Sequence, residues 1–267
     1  MGEFFDDIHA MPDSQLGGAP CRVADSSDTA AARGAEDFDG LGRLAKALNF
    51  QLRYREALDV YAQMLRLRPD DYDTLRARAP REINTLQPRR AIEDLLRCRA
   101  LGGDEADLAY RLGIAYYLAG SYAAAMREEA ACFPLVDDEM GVAVIYWHTM
   151  AALKSGAEPV LLREKYHAGM RCGHHTAYDA AVSFCAGLTP RDTFFAAMER
   201  TDSDLDFSML AYGASVFLLS ERENEESDRL RKAVVARDGF WISYANLAAW
   251  NDEYMGGTAN EQFLRRS

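Results

Sequence analysis

Positive charge is the first thing this sequence is short of. Its 30 lysines and arginines stand against 42 aspartates and glutamates, a formal net charge of −12. A general nucleic-acid or anionic-membrane surface needs positive potential, so neither partner is expected. Long apolar runs are also missing, and none approaches the roughly 20 residues of a membrane-spanning helix. Met1 to Asp7 is acidic where a secretory leader would be basic. Cys21 follows Gly17, Gly18, Ala19 and Pro20, unlike a lipoprotein cleavage box, and position 6 carries Asp6 instead of the hydroxyl a myristoylation signal needs. A cytoplasmic location is the expectation. Cysteine is sparse and odd in number (Cys21, Cys98, Cys132, Cys172, Cys185), without paired spacing, which predicts reduced thiols. Nothing alternates with a period of two over a useful length, so no sheet is expected.

The short motifs of common chemistries are absent as well. There is no Gly-rich phosphate loop, no His-Glu-x-x-His and no Gly-x-Ser-x-Gly, and neither Cys172 nor Cys185 has the flanking residues of a nucleophile. No catalytic residue, cofactor or metal ligand is assigned, and the chain is expected not to be an enzyme. His167, Cys172, His174 and His175 offer groups that suit zinc, but their spacing matches no familiar zinc module, so they read as helix-end residues beside a Gly turn. His148, within an apolar stretch after Tyr146 and Trp147, reads as a buried, hydrogen-bonded histidine.

What is present is a core and a period. Apolar residues make up 49% and charged residues 27%, enough for a sizeable interior. Residues 1–40 carry nine acids against Arg22 and Arg33, so over half of the net negative charge lies there. Residues 1–37 read as an acidic, mostly disordered tail and 38–267 as a helical domain. From Phe38 the apolar residues fall at helical spacing: Leu41, Leu44, Ala45 and Leu48, then Ala57, Tyr61 and Met64, with Pro69 as a stop. Ala57, Ala91 and Ala125 recur at intervals of 34 residues. A first helix with Leu112, Gly113, Tyr116 and Gly120 leads into Tyr122 and Ala125. Beyond residue 139, breaks at Gly156–Pro159, Gly173, Thr189–Pro190, Asp202–Asp204 and Asp238–Gly239 predict helices over 139–155, 159–171, 175–187, 191–200, 204–219, 223–236 and 239–254.

The pattern resembles the tetratricopeptide repeat. The resemblance rests on motif residues and spacing over 38–139, as repeats 38–71, 72–105 and 106–139. Over 140–254 it rests on helix-pair length. In the second repeat Arg78 and Glu82 stand at positions normally apolar, and Pro80 is expected to kink or end its helix. The resemblance implies an all-α, right-handed α-solenoid of antiparallel helix pairs, with a C-terminal capping helix carrying Phe240, Trp241, Tyr244, Leu247 and Trp250.

It also implies a concave groove for an extended peptide or partner helix, lined here by Lys46, Asn49, Phe50, Arg76, Asn84, Tyr110, Arg111, Ile114 and Tyr117. Positions that clamp a chaperone-tail carboxylate in one subgroup hold Gly42, Lys46, Ala77, Asp107 and Arg111 here, so that activity is not expected. Residues 66–99 contain nine arginines against six acids, which suits an acidic partner, the chain's own acidic tail, or simply a solvated helix surface. The function expected is a non-catalytic scaffold or adaptor that binds a protein or peptide. The alternatives are a peptide-sensing regulatory module, and an enzyme with a site in 140–254 near Tyr146, Trp147, His148, His174 and His175. The state expected is a monomer or a weak homodimer through Phe240, Trp241 and Trp250.

Overall fold

The computed structural model describes Gly34 and residues 36–255, so the acidic segment proposed for 1–37 lies almost wholly outside the described residues. Those residues form thirteen α-helices and no strand. None of these helices is long and apolar enough to cross a membrane. The chain divides into two compact units at Asp104 and Glu105.

The first unit holds α1 (Phe38–Phe50), α2 (Tyr54–Leu67), α3 (Tyr72–Asn84) and α4 (Pro88–Ala100), each packed on the next. Asp37 caps α1 by accepting from the Gly40 amide at 2.6 Å, and Asp71 caps α3 through the Thr74 amide at 3.0 Å. Proline opens α4, where its missing N–H has no cost. Leu41, Ala45, Leu48, Ala57, Val60, Tyr61 and Met64 form the core between α1 and α2. Pro80 does not end α3, which runs on to Asn84. The neighbouring Ala79 and Ile83 are fully buried, and their packing holds the turn that lost a hydrogen bond.

Arg78 and Glu82 depart from the repeat pattern together. Arg78 donates from Nε and Nη2 to the two carboxylate oxygens of Asp94 on α4, each at 2.7 Å. The buried Glu82 carboxyl lies 3.6 Å from the same guanidinium. A charged cluster thus joins α3 to α4 where the repeat pattern has apolar contact.

The second unit holds α5 (Glu105–Leu118), α6 (Tyr122–Cys132), a 3₁₀ turn (Phe133–Leu135), α7 (Asp138–Ser155), α8 (Val160–Lys165), α9 (Thr176–Cys185), α10 (Arg191–Glu199), α11 (Asp204–Ser220), α12 (Asn224–Ala236) and α13 (Tyr244–Tyr254). The helix expected over 159–171 stops at Lys165, because Tyr166 is extended and Gly169 and Gly173 take positive φ. The last helix begins at Tyr244 and not near 239, capped by Ser243 on the Asn246 amide at 3.0 Å.

One local structure recurs through both units. The first helix of each of six pairs, α1, α3, α5, α7, α9 and α11, ends with a left-handed residue: Leu52, Leu86, Gly120, Gly156, Gly187 and Arg222. Each time the next amide reaches back five residues to a helix carbonyl: Arg53 to Leu48, Gln87 to Glu82, Ser121 to Tyr116, Ala157 to Ala152, Leu188 to Ser183 and Glu223 to Leu218. This is a Schellman closure, which satisfies terminal carbonyls and turns the chain into the second helix. The alanines of the first three seams, Ala57, Ala91 and Ala125, are at most 1% exposed.

Within the second unit α7 and α11 are buried nearly all round, from Gly141 to Ala152 and from Phe207 to Val216. The closing helix α13 packs on α11 and α12 and also meets α5. Asn251 of α13 donates from Nδ2 to the Leu118 carbonyl at 3.2 Å.

Candidate functional site

The residues expected to line a groove fall into three environments. In the first unit Lys46, Phe50 and Arg76 are exposed on α1 and α3. Asn49 is half-buried and donates from Nδ2 to the Tyr61 hydroxyl at 2.6 Å, while Asn84 is buried and accepts from Arg81 at 3.1 Å. In the second unit Tyr110 and Arg111 are half-buried, with Arg111 paired to Asp107 at 2.9 Å. Ile114 and Tyr117 are core residues, at 0% and 3% exposure, and present no surface to a partner. Both lie on α5, which meets α13.

Much of the arginine band serves the fold. Besides Arg78 on Asp94, Arg97 pairs with Asp70 at 2.5 Å, Arg68 lies over the Phe38 ring at 3.9 Å, and Arg81 lies over Tyr54 at 4.8 Å. These contacts join helices to one another or to the α2–α3 turn, so the absence of lysine from the band has a structural reason: planar guanidinium stacks and forks where ammonium does not.

The second unit carries a polar thread through its interior. The hydroxyls of Tyr117 and Tyr212 are 2.5 Å apart, Tyr212 donates to Asp252 Oδ2 at 3.0 Å, and Lys154 reaches the same oxygen at 2.6 Å. Burial holds both tyrosines protonated, with pKa values well above the ordinary 10. Around the thread, Trp147 lies edge-on to Tyr117 at 5.2 Å and Tyr146 lies edge-on to Tyr178 at 4.8 Å. The thread ties α13 to α5, α7 and α11.

Two buried titratable groups have no such partners. The Glu129 side chain is fully buried on α6, and neither carboxyl oxygen makes a hydrogen bond. Burial first, and the charge of Glu128 second, push its pKa well above the usual carboxylate value, so it is held as the neutral acid. Its carboxyl occupies the space beside Gly113, where a β-carbon would overlap it. His148 is buried on α7 with Nδ1 unpartnered, and burial lowers its pKa to about 4. The hydrogen bond expected for this histidine is therefore missing at Nδ1.

A third cluster lies where the α8–α9 connector meets α7. His174 Nδ1 contacts Glu139 Oε1, and the His174 amide approaches that oxygen at 3.4 Å. His175 Nδ1 is 2.7 Å from the Glu139 carbonyl oxygen. One donor atom from each of Glu139, His174 and His175 lies within 4.8 Å of the other two. Gly173 takes φ +54°, which favours glycine, and the Glu139 carboxylate occupies the space a β-carbon there would fill.

No protein-family model matches this sequence, and no curated protein matches it. The reading of the sites therefore rests on geometry. Glu139 was not among the residues singled out from the sequence, because it lies 35 residues before His174 and in a helix's first turn, where an acid needs no special reason. Glu129 was equally hidden, since a glutamate next to Glu128 on a helix reads as solvated surface. The compensating signal was Gly113, a residue with no side chain facing that carboxyl.

Proposed function

We propose that this chain is a non-catalytic binding scaffold, a tetratricopeptide-like right-handed α-solenoid that holds a protein or peptide in a concave groove lined by its first helices. The carrying observation is the same Schellman turn closing the first helix of all six pairs, at Leu52, Leu86, Gly120, Gly156, Gly187 and Arg222. In helical repeats the exposed faces of first helices bind extended partners, and in this chain α1 and α3 carry such faces. The partner face belongs to the first unit, where Lys46, Phe50 and Arg76 are exposed. Its mixture of cations with one aromatic suits an acidic segment bearing an apolar anchor.

The test places a photo-crosslinking amino acid at Phe50 in the full chain, with Leu188 as an exposed control site at 57% exposure. The expected result is a discrete adduct from position 50 that disappears in a Lys46→Glu, Arg76→Glu background and weakens with added salt. Equal adducts from positions 50 and 188, or a partner retained undiminished by the charge-reversed chain, would overturn this reading.

A further inference from the structure

We infer that Glu139, His174 and His175 form a binding site for one zinc-class divalent transition ion. Two imidazoles and one carboxylate are a donor set that suits zinc, cobalt or nickel, whereas magnesium and calcium favour all-oxygen surroundings. The three donor atoms already lie within 4.8 Å of one another. Donors around a tetrahedral zinc with bonds of about 2.0–2.1 Å stand roughly 3.3 Å apart. The remaining adjustment falls on His174, whose side chain is 82% exposed.

Two features of the surroundings point to a ligand and not merely to a surface ion pair. His175 Nδ1 lies 2.7 Å from the Glu139 carbonyl oxygen. A carbonyl can only accept, so Nδ1 carries a hydrogen and Nε2 is the nitrogen left to meet a metal; this is the outer-shell contact that metal-binding histidines use to hold their orientation. The ring is held further by Tyr178, edge-on at 5.5 Å. The second feature is the backbone. Gly169 at φ +94° and Gly173 at φ +54° fold the connector so that the Glu139 carboxylate occupies the place of a side chain at 173. A carboxylate paired with so exposed an imidazole adds little stability alone. Shared coordination of an ion would pin the connector to α7.

Arg171, on the same connector, pairs with Asp138 at 3.8 Å. Three protein donors leave further positions open to water, so the site is an open one. His167 and Cys172 lie on the same connector but outside the donor cluster, and they serve as controls.

The experiment is a calorimetric titration of the full, tag-free chain with zinc chloride, repeated with cobalt chloride and followed by its visible absorption. One equivalent is expected, with a cobalt spectrum that lacks a thiolate charge-transfer band. Glu139→Gln, His174→Ala and His175→Ala should each weaken binding by about tenfold or more. His167→Ala and Cys172→Ser should leave it unchanged. Thermal melts in chelator establish that each variant folds, and the exposed His174→Ala decides the matter if Glu139→Gln does not. Absence of a one-equivalent site, or a site lost equally with His167→Ala, would overturn the assignment.

Discussion

Gly113 and Glu129 show how a single position can couple two helices. Glycine inside a helix costs about 0.5–1 kcal/mol relative to alanine, so Gly113→Ala would ordinarily stabilise α5. Here the new β-carbon meets a carboxyl that is buried and has nowhere polar to go. Gly113→Ala alone should therefore destabilise the protein by roughly 1–3 kcal/mol, the usual cost of overpacking. In a Glu129→Ala background the same change should become stabilising. Urea denaturation of the four proteins of this cycle gives the coupling, and a Gly113→Ala effect of the same sign in both backgrounds would refute the contact. Glu82 offers a pH-dependent counterpart. Burial, aided by the Asp94 charge and opposed by Arg78, raises its pKa from 4.5 to about 8. A raised folded pKa means the stabilisation is fully present below pH 4.5 and is lost as pH rises through about 8. Glu82→Gln keeps the neutral shape, so it should gain on the wild type by roughly 1–3 kcal/mol between about pH 5 and pH 9. Parallel denaturation curves across that range would show that Glu82 is ionised throughout.

At the scale of elements, the decisive piece is α13. The sequence reads a cap through Phe240, Trp241, Tyr244, Leu247 and Trp250; of these Leu247 is buried, together with Ala245, Ala248 and Ala249, while Phe240 and Trp241 precede the helix. Its polar residues carry the specificity: Asn251 on the Leu118 carbonyl and Asp252 on Lys154 and Tyr212. Removing Asp252 leaves an ammonium and a hydroxyl without their shared acceptor in a largely buried place. Asp252→Ala should cost about 1–3 kcal/mol, discounted for the 14–15% exposure of the pair, and Asp252→Asn should cost less. Amide exchange should quicken in α13 before it does in α7. Uniform quickening through the second unit would mean that α13 is not a separately anchored element. The connector 166–175 teaches the opposite lesson about legibility. Its two positive-φ glycines and the extended Tyr166 end α8 after six residues, although the apolar spacing of Val160, Leu161 and Leu162 invites a longer helix. Period-based reading weighs side chains, whereas this boundary is set by backbone conformation.

For the whole molecule, the sequence by itself determined the all-helical class, one helix pair within each of 38–71, 72–105 and 106–139 to within a residue, and the burial of Ala57, Ala91 and Ala125. Those follow from local rules: apolar residues at helical period, small residues where helices approach, acids and hydroxyls at caps. The recurrence of one turn type was half legible, since Gly120, Gly156 and Gly187 announce a left-handed residue but Leu52, Leu86 and Arg222 do not. Tertiary structure alone decided where the polar residues went. Arg78 and Glu82 break the repeat pattern, yet Arg78 pairs with Asp94, sixteen residues on, and Glu82 lies beside the same guanidinium. Tyr117, expected at a groove, gives its hydroxyl to Tyr212, ninety-five residues away. Glu139 joins His174 and His175 across a similar gap in kind. A helix period says which face a residue occupies. It does not say which distant charge or hydroxyl will face it, because that pairing is fixed only when packed helices force buried polar groups to find partners.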